Sequence, residues 1–287
     1  MSIRTAPSPP HTEFFPLPPS SHRRARWLAA ILDDAHQLRR FWPVVQNLVA
    51  QDLRVRYQRS ALGFLWTLLN PILMMITLTV VFSKLQPLDW KNYAIRLFAG
   101  MVPWILFSSI LNDCANCILV NEALIRKIFL PKLIFPLNRV LVNLIIFVLS
   151  MGALFLMLVP LGAGITLPMV LLPVAIALFT AFAFGLGLII ATMNTFYRDC
   201  SHLINVILQA WYFATPILYS EELFKSSPWM LWLNPAYPFI RLFQDMISAG
   251  RWPNPITFAM AASIAAVTLG VGYAAFKCYE DKLVFRL

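Results

Sequence analysis

Residues 51–83 read QDLRVRYQRSALGFLWTLLNPILMMITLTVVFS, and how this stretch is understood decides the fold. Asp52, Arg54, Arg56 and Arg59 crowd its start, and no further charge follows until Lys84. A helix rises about 1.5 Å per residue and a bilayer core is about 30 Å thick, so roughly 20 uncharged residues suffice for one crossing. The stretch therefore reads as a membrane span, at about 62–83, with a basic edge. That edge has three possible meanings: a nucleic-acid patch, a partner-binding helix, or the cytosolic border of a membrane protein.

Composition settles the class. With 59% hydrophobic and 13% charged residues and a mean hydropathy of +0.69, the chain has more apolar surface than a soluble core could bury. An all-α integral membrane protein is expected. Further uncharged runs lie between Arg198/Asp199 and Glu221 and between Arg251 and Lys277. The uncharged stretch from Arg139 to Arg198 is too long for one crossing, and its Pro160–Pro168 segment, PLGAGITLP, is a turn signature. Another span, 97–120, is interrupted by Asn112, Asp113 and Asn116. Six spans result, at about 62–83, 97–120, 140–160, 168–193, 203–220 and 255–276.

An even number of spans puts both termini on one side. That side collects 17 of the 23 Lys and Arg residues, and basic residues are retained in the cytoplasm, so both ends are expected to be cytosolic. The net charge of +10 then reflects topology and anionic lipid, and no nucleic-acid partner is expected. Residues 1–40, with Pro7, Pro9, Pro10, Pro16, Pro18 and Pro19 among Ser and Thr, read as a disordered cytosolic tail ahead of a membrane domain over 41–287. The tail lacks the apolar run of a signal peptide, so insertion through the first span is expected. Cys114, Cys117, Cys200 and Cys278 imply no disulfide framework, and the Cys114–Cys117 pair reads as core packing.

Four polar pieces flank or connect the spans. Residues 43–60 suit an amphipathic interface helix, with Pro43 in its first turn and Val45, Leu48, Val49 and Leu53 on one stripe. In NEALIRKIFLPKLIFPLNR, Asn121 suits a cap, Glu122 the positive end and Lys127 the negative end of a short helix, leaving Glu122, Arg126 and Lys127 on a polar face. Pro131 is expected to end it. The turn NTFYRDCSH offers Arg198 and Asp199 on the same side. On the other side, Glu221–Pro255 carries Trp229, Trp232, Tyr237 and Trp252, suited to a headgroup boundary. Within it Phe239, Leu242, Phe243, Met246 and Ile247 follow helical spacing against Arg241, Gln244, Asp245 and Ser248, as in an interfacial or re-entrant helix beside an aqueous opening.

Enzyme chemistry finds little support. The sequence has no His-Glu-x-x-His, no nucleophile elbow and no close carboxylate pair for a metal on a cytosolic loop, and Glu221-Glu222 reads as solvated. Its four scattered histidines suit neither a proton relay nor metal transport, and no metal site is expected. A Gly-rich selectivity filter is missing as well, which speaks against an ion channel. Asp113 lies roughly 13 Å along the helix from Glu122, where an ionised carboxylate must face protein or water, and a structural role, bonded to neighbouring helices through Asn112 or Asn116, is expected over one in the translocation path. No Gly-x-x-x-x-Gly-Lys-Ser/Thr sequence occurs, so ATP and magnesium, if used, belong on another polypeptide.

The stretch from Asp52 to Ser83 resembles the N-terminal signature of type-2 ABC exporter permeases, most closely the O-antigen, capsule and teichoic acid branch. In that branch an Arg-Tyr-x-x-Ser-x-Leu-Gly-x-Leu-Trp run joins an interface helix to the first span. Arg56, Tyr57, Ser60, Leu62, Gly63, Leu65 and Trp66 match it here, and the likeness continues through NEALIRKIFLPKLIFPL and ATPILYS. The resemblance implies a homodimer in the bacterial cytoplasmic (inner) membrane that works with two ATPase subunits and exports a lipid-linked glycan. It places the principal coupling helix at Asn121–Leu130, with Arg198 and Asp199 in a second contact. External gate helices would match Pro238–Ala249, including Phe239, Phe243 and Met246. Arg54, Arg56 and Arg59 would lie near the cytosolic entry, where they anchor the interface helix and a lipid pyrophosphate could meet them. Aromatic rings suit the apolar faces of sugars, so Trp66, Trp104, Phe107, Trp211, Tyr212, Phe213 and Tyr219 are candidates for the path. The alternative is a type-2 exporter of another lipid or a drug, and beyond it a membrane glycan-modifying enzyme.

Overall fold

The computed structural model describes residues 32–58, 63, 65–82, 89–161, 164–224, 226–227, 229–283 and 286. Arg59, Ser60, Leu62 and the tail up to residue 31 lie outside these. Backbone proximity divides the chain into Met1–Trp42 and Pro43–Leu287. Within the first unit residues 32–40 are helical, although they belong to the stretch expected to be disordered.

Every regular element among the described residues is helical: besides residues 32–40 and the 3-10 turns Leu167–Leu171 and Glu221–Phe224, there are α1 Trp42–Tyr57, α2 Leu65–Phe82, α3 Trp90–Val120, α4 Glu122–Lys127, α5 Ile134–Leu161, α6 Leu172–Phe196, α7 Cys200–Ala214, α8 Trp229–Leu233, α9 Tyr237–Ile247 and α10 Pro255–Leu283. Among the described residues, four segments are long and apolar enough to cross a membrane: Trp90–Val120, Ile134–Gly152, Leu167–Phe196 and Pro255–Leu283. The apolar run Leu69–Phe82 in α2 is shorter, and α7 has 15 residues.

α3 is the central post. It packs against α2, α5, α6, α7 and α9, and 78% of its apolar window is buried, against 22% for α10. It begins at Trp90 rather than near 97, because Asp89 caps it by accepting from the Lys91 backbone N–H at 3.4 Å. Its interior includes Pro103, whose missing N–H leaves one gap in the backbone ladder. The core beside it is aromatic. Phe107 stacks on Phe182 at 5.3 Å between ring centroids, and Phe182 on Phe239 at 4.8 Å.

α6 and α10 pack backbone to backbone. A Cβ at Gly185 would lie 2.5 Å from the Thr268 carbonyl, and one at Gly272 would collide with the Gly185 carbonyl. Two residues on, Gly187 presses on Cys114 of α3. Without a hydrophobic drive between helices in lipid, such close approach supplies packing that bulkier residues would prevent.

α1 buries the expected stripe, with Val45 inaccessible and Leu48, Val49 and Leu53 partly covered. Asp52 completes that stripe. It accepts from Arg139 Nη1 at 2.9 Å and Asn138 Nδ2 at 2.5 Å. These bonds neutralise Arg139, and α5 accordingly starts at Ile134, ahead of the expected 140. Between α1 and α2, Gly63 has φ 45°, a left-handed conformation that favours glycine. α7 ends at Ala214 instead of running to 220, since Pro216 pushes Thr215 into an extended conformation (φ −100°, ψ 133°).

Candidate functional site

Among the described residues, two sizeable cavities along α3 share Ile105 in their lining. The first, about 280 Å³, is bounded by α1, α2, α3 and α5 and brings Arg56 together with Trp66, Asn70, Ser109 and Asn143. Arg54 is exposed and takes no part in that lining. Trp66 is half exposed. The motif linking α1 to α2 thus sets a cation and an indole around one opening, because the Gly63 turn lets α2 fold back beside α3.

The second cavity, about 340 Å³, lies between α2, α3 and α7. α3 contributes Met101, Trp104, Ser108 and Asn112, spaced three, four and four residues apart on one face, and α7 contributes Asn205, Gln209, Tyr212 and Phe213 by the same periodicity. The Trp104 ring lies 5.7 Å from that of Tyr212. Phe107 is fully buried and packs behind Trp104 at 5.3 Å, so it supports the cavity from the core and does not line it. Trp211 also stands behind, its indole N–H donating to Asn234 at 2.7 Å. Tyr219 is elsewhere, donating to the Phe213 carbonyl at 2.6 Å. The amides on α7 were legible as Asn205 and Gln209 four residues apart in an apolar helix, a signal the aromatic reading passed over.

At the α4 end, Asp113 faces protein as expected but through a different partner. Asn143 of α5 donates to it at 2.7 Å, while Asn116 accepts from Asn194 of α6 at 3.3 Å. Asn194, fully buried, also donates to the Ala115 carbonyl at 2.8 Å and accepts from the Ser201 N–H at 2.9 Å, fixing the Arg198–Asp199 turn against α3. That turn is exposed. Asn121 does not cap α4 with its side chain. It donates to the Cys117 carbonyl at 2.7 Å, closing the last turn of α3. α4 buries none of its residues, Glu122 and Arg126 pair at 2.8 Å, and Phe129 is 89% exposed beyond it. The helix ends at Lys127, ahead of Pro131, because Ile128 turns extended.

At the opposite end α9 is buried on nearly every side, including Gln244 and Asp245, so it is embedded in the bundle and not laid on its surface. Phe239, Phe243 and Met246 are fully buried in the core. Tyr237, assigned to a headgroup boundary from the sequence, is buried too, whereas Trp229, Trp232 and Trp252 are exposed. The polar face of α9 joins an ionic cluster. Arg241 pairs with Glu221 and, at 3.1 Å, with Asp245; Arg251 reaches Asp245 at 2.6 Å, and Arg96 approaches Glu221 at 3.9 Å. Burial, and secondarily the Asp245 carboxylate, hold the Tyr237 phenol above its ordinary value, so it stays a donor to Glu221 at 3.0 Å. Glu221, expected to be solvated, is therefore a structural junction. A cavity of about 230 Å³ opens beside it.

The sequence pattern of ABC-2 type transporters matches residues 43–247, the stretch from α1 through α9 that builds both cavities and all of this cluster but Arg251. The chain belongs to the ABC-2 type transporter family. It is similar to the O-antigen export system permease protein RfbA of Myxococcus xanthus, with 32% identity over 241 residues, covering 82% of this chain and 91% of that protein. An O-antigen export system permease protein RfbA of Klebsiella pneumoniae is 27% identical over 202 residues, 70% of this chain and 78% of its own. The polysialic acid transport protein KpsM of Escherichia coli is 22% identical over 245 residues, 84% of this chain and 95% of its own. As an ABC-2 family member with several membrane-crossing helices, the chain is a multi-pass membrane transport subunit.

Proposed function

We propose that this chain is the permease subunit of an ATP-driven exporter of a lipid-linked polysaccharide of O-antigen or capsule type, working as a homodimer with two separate ATPase subunits in the bacterial inner membrane. The observation that carries the reading is the 32% identity running along 91% of the Myxococcus permease. The second cavity supports it, since it sets aromatic rings beside side-chain amides, a lining suited to a molecule with apolar C–H faces and a rim of hydroxyls.

In this reading six helices, α2, α3, α5, α6, α7 and α10, cross the membrane with both termini cytosolic, and the membrane domain is preceded by a cytosolic tail. Arg56, beside Trp66 in the first cavity, meets the phosphates of the lipid anchor, a role we extend to Arg54 and to Arg59, which lies outside the described residues. Trp104 and Tyr212 line the path, with Phe107 and Trp211 holding Trp104 in place. Glu122, Arg126 and Lys127 of α4, with Arg198 and Asp199, dock on the ATPase, which holds ATP and magnesium. The exposed Phe129 supports that docking, because an isolated six-residue helix gains little stability by itself. α9 is the external gate, its core face of Phe239, Phe243 and Met246 moving as one body with its polar face.

Purification with its ATPase subunits, followed by identification of the lipid that accumulates when ATP hydrolysis is abolished, tests the reading. A lipid-linked glycan is expected. Accumulation of a lipid without sugar would overturn it in favour of another exported lipid.

A further inference from the structure

Helix α1 carries a single carboxylate, Asp52, one turn ahead of Arg56. Side chains four apart on a helix are neighbours, and an acidic residue on the N-terminal side of a basic one is the favoured order for an ion pair. That pair does not form. Asp52 turns instead to α5, where it accepts from Arg139 Nη1 at 2.9 Å and from Asn138 Nδ2 at 2.5 Å, and Arg56 has no ion-pair partner among the described residues. The side chains of Asp52 and Arg139 are only 27% and 18% exposed, so salt screens their charges weakly. The carboxylate is thus cancelled from another helix, and the charge of Arg56 stands whole in the lining of the first cavity.

We propose that Arg139 is a positioning residue for the anionic substrate: by holding Asp52 on α5, it keeps Arg56 free to bind a phosphate oxygen in the first cavity. The inference rests on the reading of Arg56 given above. Were residue 139 neutral, Asp52 would keep an uncancelled negative charge within reach of Arg56, pairing with it and repelling an incoming phosphate. A clasp between α1 and α5 of purely structural purpose is indifferent to which partner carries the charge. A shield for Arg56 is not.

That asymmetry gives the test. Arg139→Gln and Asp52→Asn each leave a neutral side chain that can still hydrogen-bond its partner, and they leave opposite charges beside Arg56. These two, their double variant and Arg56→Gln are expressed as full chains with the ATPase in a host deleted for the permease gene, and surface glycan is measured per accumulated permease. Arg56→Gln and Arg139→Gln are expected to lower it roughly three- to tenfold, as for loss of a charge-assisted contact. Asp52→Asn should export at the wild-type level, and adding it to Arg139→Gln should restore export. Equal loss in both single variants reduces the contact to a clasp and overturns the proposal. If Arg139→Gln does not accumulate, Asp52→Asn is compared with the double variant, which strands neither charge: equal export supports the proposal, and lower export by the double variant overturns it. Loss in Arg56→Gln without loss in Arg139→Gln overturns this inference alone. Normal export by Arg56→Gln overturns the reading of Arg56 and the inference with it, and a deleted host that keeps its surface glycan overturns the polysaccharide reading as well.

Discussion

Asp52 and Arg139, far apart in sequence, meet at 2.9 Å and fasten α1 to the first turns of α5. Asn138 adds a second bond to the same carboxylate. Replacing Asp52 with Ala strands a partly covered guanidinium, at an expected cost of about 2 kcal/mol. A lower melting temperature for the detergent-solubilised protein checks this, and an unchanged one would show that α1 holds its place by Val45, Leu48 and Val49 alone.

The α6–α10 seam predicts a much larger effect. Gly185→Leu would place a side chain where the Thr268 backbone already sits, a clash that no rotamer relieves because the obstacle is main chain. Loss of most folded protein from the membrane fraction is expected. Gly152→Leu, with nothing within 4 Å of its Cβ position, should accumulate normally and serves as the comparison.

Coupling can be tested at α4. Glu122→Ala combined with Arg126→Ala removes an exposed ion pair worth a fraction of a kcal/mol to the fold. Membrane insertion should survive while stimulation of the ATPase subunit drops. Normal stimulation by the double variant would remove α4's polar face from the contact.

For Trp66, half exposed beside Arg56, ring character is the variable. If the indole touches substrate, Trp66→Ala lowers export more than Trp66→Phe does. Equal export by both variants assigns Trp66 to packing.

The ionic cluster around α9 yields an energetic prediction. A double-mutant cycle with Glu221→Gln and Arg241→Gln should give a coupling of about 1–3 kcal/mol in thermal or chemical unfolding, since the pair is largely shielded from solvent. Additive single effects would mean that Asp245 alone retains Arg241.

What the sequence revealed, and what it hid, follows from the range of the interactions. The stripe of α1, the short helix at 122–127 and the need for Asp113 to face inward are local consequences of periodicity or of charge at depth, and all three are present in the structure. The partner of Asp113 was misjudged because Asn143 sits on another helix, while the tempting Asn112 and Asn116 are merely adjacent in the chain. Two helices start earlier than expected for a related reason. Span limits were drawn at charges, but Arg96 and Arg139 find carboxylates in Glu221 and Asp52, and a paired charge need not end a helix. Burial of Gln244 and Asp245 was invisible for the same reason, as their partners come from the Pro216 carbonyl and Arg251.

α3 carries Arg96 near one end, Trp104 and Asn112 along its middle and Asn121 at the other end, where the Cys117 bond seals the joint to α4. At about 1.5 Å per residue it is a strut of roughly 46 Å. In the proposed coupling, a displacement entering at α4 is carried along this strut toward Arg96 and the ionic cluster, with Pro103 as its weak point. With one backbone bond missing between Arg96 and Trp104, that proline divides the strut into a long arm bearing Trp104 and Asn112 and a short arm bearing Arg96 of the ionic cluster. On the same proposal, Pro103→Ala would restore that backbone bond and stiffen the link between the two ends, and a change in ATPase stimulation by the variant checks it.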